Sequence, residues 1–361
     1  MNKEIKTKNF EISENSPTYI IAEIGINHNG KFNLAEKLIV ESAKAGVNGV
    51  KFQKRDASSI MIKQKINLSP VGYLSSDEND ISTDQPEYGN WSYPDIRLEL
   101  KDEDYIKLQK VADNEGVDFF ASPWDEKSLN FLKEINVPII KIPSVEIKNF
   151  ELLEKYSKCG KPIILSTGTA TQSDIDAALN ILRENTNNII LLQCTSSYPS
   201  KFNEIDLKVI NTFKNKYGCL VGFSGHEPGI NVAVGAVALG AKVIEKHVTL
   251  NKNMNGTDHL ASIDMVELKN MVNAIREIEL ALGTDKKTKY KSEDVLVSIL
   301  GKSLVAKNSL KSGSIIKKED LSVKGPATGI SSEFFYKVIG KKIIKDKSED
   351  EILFPGDIEN F

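Results

Sequence analysis

Two histidines, His226 and His247, close successive apolar runs, GFSGH and VIEKH. Imidazoles converging from neighbouring strand ends would suit a divalent transition metal that keeps positions open for water and substrate. The plainer alternative is that each ring is simply hydrogen-bonded in the core or at the surface. Lys51 and Lys141 sit in comparable runs, and Ser144, Ser166, Ser196 and Ser224 fall at or just after such runs. A ring of ammonium and hydroxyl donors makes a phosphate or carboxylate site, although each serine alone reads as ordinary strand-end polarity. Only four arginines (Arg55, Arg97, Arg183, Arg276) stand among the 47 basic residues. An anion bound here must therefore be held mostly by lysines, hydroxyls and backbone N–H groups. Glu23 and Glu146 could do acid/base work, or could merely pair with Lys51 and Lys141. Cys194 lies near the same rim; without a clear base partner it reads as a small buried filler.

The elements that must carry these residues alternate. Eight strands are expected at Tyr19–Ile26, Gly49–Gln53, Val117–Ser122, Pro138–Ile142, Pro162–Ser166, Ile189–Thr195, Cys219–Ser224 and Lys242–Thr249. Most are near-continuous apolar runs, as strands buried on both faces should be. Amphipathic segments separate them, among them Asn33–Ala45 before Gly46, Asp102–Glu115 before Gly116, and Met265–Leu282 before Gly283. Eight strands alternating with eight helices predict an α/β fold, a (β/α)8 TIM barrel of about 250 residues. A doubly wound sheet would call for a glycine-rich fingerprint after the first strand, and EIGINHNG is not GxGxxG. In a barrel the chemistry gathers at the C-terminal strand ends, and all four histidines (His28, His226, His247, His259) fall there. The stretch from Lys54 to Glu99 is abnormally long and polar; its aromatics predict an ordered lid.

The chain has 361 residues, so about two domains are expected. The barrel accounts for 1–283. A polar, lysine-rich linker at 284–297 then leads to a small β-rich domain at 298–361, with short β-type runs at Ser303–Ala306, Ser314–Ile316, Leu321–Val323 and Lys341–Ile344. A net charge of −3 argues against a nucleic-acid or membrane-surface partner. The longest apolar stretch, Val232–Ala241, is half of the roughly 20 residues that span a bilayer. The first residues, MNKEIKTKNFEI, hold no apolar signal region. Three cysteines without a CxxC fit a reducing cytoplasm and exclude a disulfide framework.

The strand ends AEIGINHNG, VKFQ, KIPSVEI, STGTA, QCTSSYP, GFSGHE and EKHVTL, followed by GTDHLAS, resemble the sialic acid synthase family. The segment from about Leu300 (GKSLVAKNSLKSGSIIKKEDLSVKG) resembles that family's antifreeze-like (SAF) domain. The resemblance implies a cytoplasmic transferase that condenses phosphoenolpyruvate with N-acetylmannosamine or a related hexosamine, releasing phosphate. It implies that His226 and His247 hold Mn²⁺ or Mg²⁺. Lys141, Ser144, Ser166 and Ser224, helped by Lys51 and Ser196, would take phosphoenolpyruvate. Gln53, Glu146, Tyr198 and Asp258 would bind the open-chain sugar, and Glu23 would transfer a proton. It implies a domain-swapped homodimer in which each SAF domain caps the partner's barrel. Many relatives carry an Arg-Pro-Gly setting in that domain where this chain reads Lys324-Gly325-Pro326-Ala327. Bacterial members often read Asp-His-Thr and Asn where this chain has Gly225-His226-Glu227 and Ser196. These departures look like the animal-type synthases, which use a 6-phosphorylated sugar; a 2,4-diacetamido hexose is a further alternative. A non-catalytic sugar-acid-binding protein on the same fold would be expected to lose a metal histidine or the phosphate lysine, and none is lost.

Overall fold

A computed structural model describes residues 2–60 and 98–361. Its strands are β1 (Tyr19–Gly25), β2 (Gly49–Lys54), β3 (Asp118–Pro123), β4 (Ile140–Ile142), β5 (Ile163–Ser166), β6 (Ile189–Cys194), β7 (Leu220–Gly225) and β8 (Val243–His247). All are parallel, in the order β3-β2-β1-β8-β7-β6-β5-β4. The two ends, β3 and β4, lie side by side. Among the described residues no ladder joins them, so the barrel closes with one unlaced seam. The strands are buried along almost their whole length, because helices cover their outer faces and side chains fill the interior.

The helices are α1 (Phe32–Ala45), α2 (Asp102–Asn114), α3 (Glu126–Glu134), α4 (Phe150–Ser157), α5 (Gln172–Arg183), α6 (Val209–Tyr217), α7 (Asn231–Ala238) and α8 (Met265–Leu282). Several starts are written in the sequence. The Asp125 carboxylate caps α3 at Ser128 N–H. Thr171 with Asp174, and Asp264 with Glu267, form reciprocal capping boxes at α5 and α8. Helix α6 begins only at Val209, just after Asp206 takes a positive φ of 52°. An N-terminal hairpin, Glu4–Lys6 with Glu11–Ser13, buries Ile5 and Ile12 against the barrel core. Its three-residue strands are too short to register as a periodicity.

The expected lid at Lys54–Glu99 lies outside the described residues over 61–97. Its two ends are tied down: Arg55 Nε donates to Glu99 Oε1 at 2.5 Å, and Lys54 pairs with Asp102 at 2.7 Å.

The chain divides into two units, Met1–Gly283 and Thr284–Phe361. The second has its own small core, including Leu304, Leu310, Ile316, Leu321, Ile343 and Leu353. Ser303–Ala306 pairs antiparallel with Leu321–Lys324. The other two β-type runs appear as single bridges, Ile315 with Lys342 and Ile343 with Ile358. The stretch expected as linker at 284–297 is not irregular throughout. A helix, Asp294–Leu300, starts inside it and exposes Val295, Leu296, Ile299 and Leu300.

Candidate active site

Period-two alternation decides what the strand ends present. On β8, Glu245 and His247 share one face, and Lys246 between them points to the other. Glu23 on β1 sits opposite both His247 and Lys51, and Glu245 sits opposite Ser224. These side chains converge on a cavity of about 330 Å³ at the C-terminal end of the barrel. Every site residue expected from the sequence lines it except Glu146: Glu23, Lys51, Gln53, Lys141, Ser144, Ser166, Ser196, Tyr198, Ser224, His226, His247 and Asp258.

At its floor runs a buried ladder of alternating charge. Lys51 Nζ lies 2.7 Å from Glu23 Oε2 and 4.0 Å from Glu245 Oε1, and Lys141 Nζ is 3.5 Å from the same Glu245 oxygen. Ser224 donates to Glu245 at 3.0 Å, and Lys51 donates to Ser122 at 3.0 Å. Burial pushes the Glu23 carboxyl up to about 7 against the pull of Lys51. Burial raises Glu245 too, but Lys141 and Lys51 outweigh it and hold that carboxyl below its ordinary range. Lys141 is lowered by burial, with Lys51 adding to the effect. Glu245 is a functional residue the sequence analysis does not name; its place two residues before His247, on the same strand face, is the signal that finds it.

The serines form a second group. Ser144 Oγ accepts from Gly168 N–H at 3.0 Å, and Ser166 Oγ is buried with no hydrogen-bond partner among the described residues. A Cβ on Gly168 would run into Ser196 Oγ and come within 2.8 Å of Ser144 Oγ. Only glycine leaves this hydroxyl cradle open. Cys194 belongs here as well, 3.5 Å from Ser144 Oγ and 4.0 Å from His226 Nδ1. Burial pushes its thiol up, but His226 and Lys141 outweigh burial and hold it at about 7. The His226 Nδ1 beside it donates to the Thr195 carbonyl, so it does not serve the thiol as a base.

The two imidazoles stand 5.2 Å apart between ring centroids. The Tyr198 ring packs on both, 4.1 Å from His226 and 5.7 Å from His247. His226 Nδ1 is 2.8 Å from the Thr195 carbonyl, which it meets as a donor, so Nε2 carries the free lone pair. His247 Nδ1 is buried without a hydrogen-bond partner among the described residues, 3.6 Å from Asp258 Oδ2. Burial, then His226 and Lys51, hold His247 well below its ordinary value, so its ring is neutral. Among the described residues no three His, Cys, Asp or Glu side chains form a metal cage. The donor set fits a divalent ion that two imidazoles hold and that takes its other ligands from water or substrate.

Three readings need correction. Glu146 does not reach the cavity. It sits on a 3₁₀ turn, Ser144–Lys148, accepts from Asn149 Nδ2 at 2.7 Å, and lines an adjacent open depression of about 940 Å³ that shares Trp124 with the cavity. It does not pair with Lys141, whose partner is Glu245. The clustering of all four histidines is half structural. His259 Nδ1 lies 2.8 Å from Thr249 Oγ1, and His28 Nδ1 accepts from Gly30 N–H at 3.0 Å. Burial pushes these two rings down to about 4 and about 3. Neither lines the cavity.

Residues 38–287 match the NeuB family, and residues 301–359 match the SAF domain. The chain is 42% identical over 340 residues to the N,N'-diacetyllegionaminic acid synthase of Campylobacter jejuni, covering 93% of this chain and 98% of that one. It is 34% identical over 346 residues to human N-acetylneuraminate-9-phosphate synthase, covering 95% and 93%. The crystal structure of the N-acetylneuraminic acid synthetase from Leptospira borgpetersenii, in complex with citrate, superposes with a TM-score of 0.71. That pair is 35% identical, over 82% of this chain and 96% of that one.

Proposed function

The chain belongs to the NeuB family, and from that premise we propose that it condenses phosphoenolpyruvate with the open-chain form of an N-acylated hexosamine, giving a nine-carbon 3-deoxy-2-keto acid and phosphate. The observation that carries this reading is the meeting of a cationic, hydroxyl-lined pocket with two imidazoles in one buried cavity. Its volume suits two small polar reactants held together.

The enol carbon C3 of phosphoenolpyruvate forms a bond to the aldehyde carbon, and the aldehyde oxygen takes up a proton. Water adds to C2, the C2–O bond to phosphate breaks, and phosphate leaves with the bonding pair. The water oxygen stays as the new ketone. A Mn²⁺ or Mg²⁺ ion on His226 and His247 would supply Lewis-acid polarisation of the aldehyde. The chain's own groups do the rest. Lys141, with Lys51, and the hydroxyls of Ser144, Ser166, Ser196 and Ser224 bind and orient the anion. Glu23, held near neutrality, is suited to hold or hand over a proton at the reacting oxygens. Tyr198, Gln53 and Asp258 line the same cavity, and in this reading they bind the sugar.

A 2,4-diacetamido hexose is favoured over N-acetylmannosamine by the 42% identity to a relative named for diacetyllegionaminate. An uncharged sugar is favoured over a 6-phosphorylated one by the neighbouring depression. Among the described residues its lining carries Asp102, Asp125, Glu126, Glu134, Glu146 and Glu151 against Lys127 and Lys155. We further read the chain as a cytoplasmic homodimer whose C-terminal units cap the partner's barrel. Phosphate release from phosphoenolpyruvate, measured across a panel of free and 6-phosphorylated hexosamines with and without chelator, tests this. Turnover with a free diacetamido sugar, abolished by chelator and restored by Mn²⁺, is the expected result. No release with any sugar, or release unaffected by chelator, overturns it.

A further inference from the structure

Behind the cavity wall lies a buried ion pair that does not line the cavity. Lys246 Nζ is 2.7 Å from Glu227 Oε1 and also donates to the Glu227 carbonyl oxygen. Lys246 is 0% exposed and Glu227 1%. Lys246 immediately precedes His247, Glu227 immediately follows His226, and Lys246 is register partner to Gly225 across the β7–β8 ladder. The pair therefore straps together the two residues that flank the imidazoles, on the opposite face of the sheet.

Gly225 is part of the same device. A Cβ there would lie 2.6 and 2.9 Å from the two Glu227 carboxylate oxygens and 2.5 Å from the Phe223 ring. The carboxylate folds back over Gly225 into the space a side chain would fill. Any larger residue at 225 forces Glu227 out and leaves Lys246 buried without its counter-charge, a costly state. Gly225, Glu227 and Lys246 thus stand or fall as a set. His226 has other anchors, Thr195 O on its ring and Ser200 N–H on its carbonyl at 3.1 Å, but neither reaches β8. Tyr198 packs on both imidazoles from the cavity side; on the opposite face of the sheet, this strap ties together the residues that flank them.

We propose that Lys246 and Glu227 are positioning residues that fix the spacing and orientation of His226 and His247, and so set the affinity of the imidazole pair for its divalent ion. This rests on the metal reading given above. The test titrates Mn²⁺ into metal-free full-length protein and follows the free ion by electron paramagnetic resonance. Thermal melts are recorded alongside. Glu227→Gln keeps volume and removes the charge; the double variant Glu227→Leu, Lys246→Met removes both charges without orphaning either. Mn²⁺ binding at least tenfold weaker in the double variant, with a melting temperature near that of the parent, is expected. Parent-like affinity in a folded double variant overturns the proposal. Should the double variant not fold, Glu227→Gln decides on the same criterion. If the parent itself does not bind Mn²⁺ while its melt is normal, the metal reading falls and this inference with it; that result is distinct from parent binding left unchanged in the variants.

Discussion

On the reading proposed above, the ladder Glu23–Lys51–Glu245–Lys141 sets how strongly the pocket attracts an anion, and with Glu23 held at about 7 its charge changes near neutral pH. Two ammoniums and the Glu245 carboxylate leave one net positive charge while Glu23 is protonated, and none once it ionises. Because burial holds Glu23 near 7, KM for phosphoenolpyruvate should rise as pH climbs through about 7, and Glu23→Gln should keep the low-pH value across that range. Stability carries the same sign. A carboxyl whose folded value lies above its unfolded value of 4.5 favours the fold when protonated. That contribution is full below about pH 4.5 and is lost as pH rises through about 7, so Glu23→Gln should flatten the melting temperature against pH in that window. The hydroxyl cradle gives a second test. Gly168→Ala drives a methyl into Ser196 and Ser144. Two displaced hydrogen bonds at 0.5–1.5 kcal/mol each should raise KM for phosphoenolpyruvate about tenfold. Unchanged KM would place the anion elsewhere.

At the scale of elements, the loop from β8 to α8 carries Asp258 to the cavity and must end on a firm helix start. Asp264 Oδ1 accepts from Val266 and Glu267 N–H at 3.0 and 2.9 Å, and Glu267 returns a bond to Asp264 N–H at 3.0 Å. Asp264→Ala should cost about 1 kcal/mol, a fall of about 2–4 °C in a melt monitored by circular dichroism. A loss near zero would mean water replaces the cap. The elements also explain what could be read in advance. Continuous apolar runs fixed the strands, and strand alternation put Glu23, Lys51, Lys141 and both histidines on the inner face. Where alternation stops, the reading failed. Glu146 lies on a 3₁₀ turn, and no pattern told which way it faces. Lys246 lies in the same strand-end run as Glu245 and His247, but period two turns it outward to Glu227. Charge pairing across the barrel interior, such as Lys141 on β4 with Glu245 on β8, depends on how the strands close, which one sequence does not state.

At the scale of the whole chain, two separate cores imply two folding units. Residues 1–283 alone should melt cooperatively, since their core borrows nothing from the second. If the C-terminal unit is the cap we infer, the truncated protein should lose at least tenfold in turnover while keeping its fold, measured by phosphate release and calorimetry. Full activity would make the cap dispensable. The seam between β3 and β4 bears on how the barrel yields. A tube slit along one side is compliant at the slit and stiff opposite it. Ser122 and Lys141 ride the lips of the slit, while β7 and β8, with His226 and His247, lie at the far wall of the strand order. Deuterium uptake should therefore be fastest in the amides of β3 and β4 and slowest in β7 and β8. On that prediction the wall that bears Ser122 and Lys141 moves more than the wall that bears the two imidazoles.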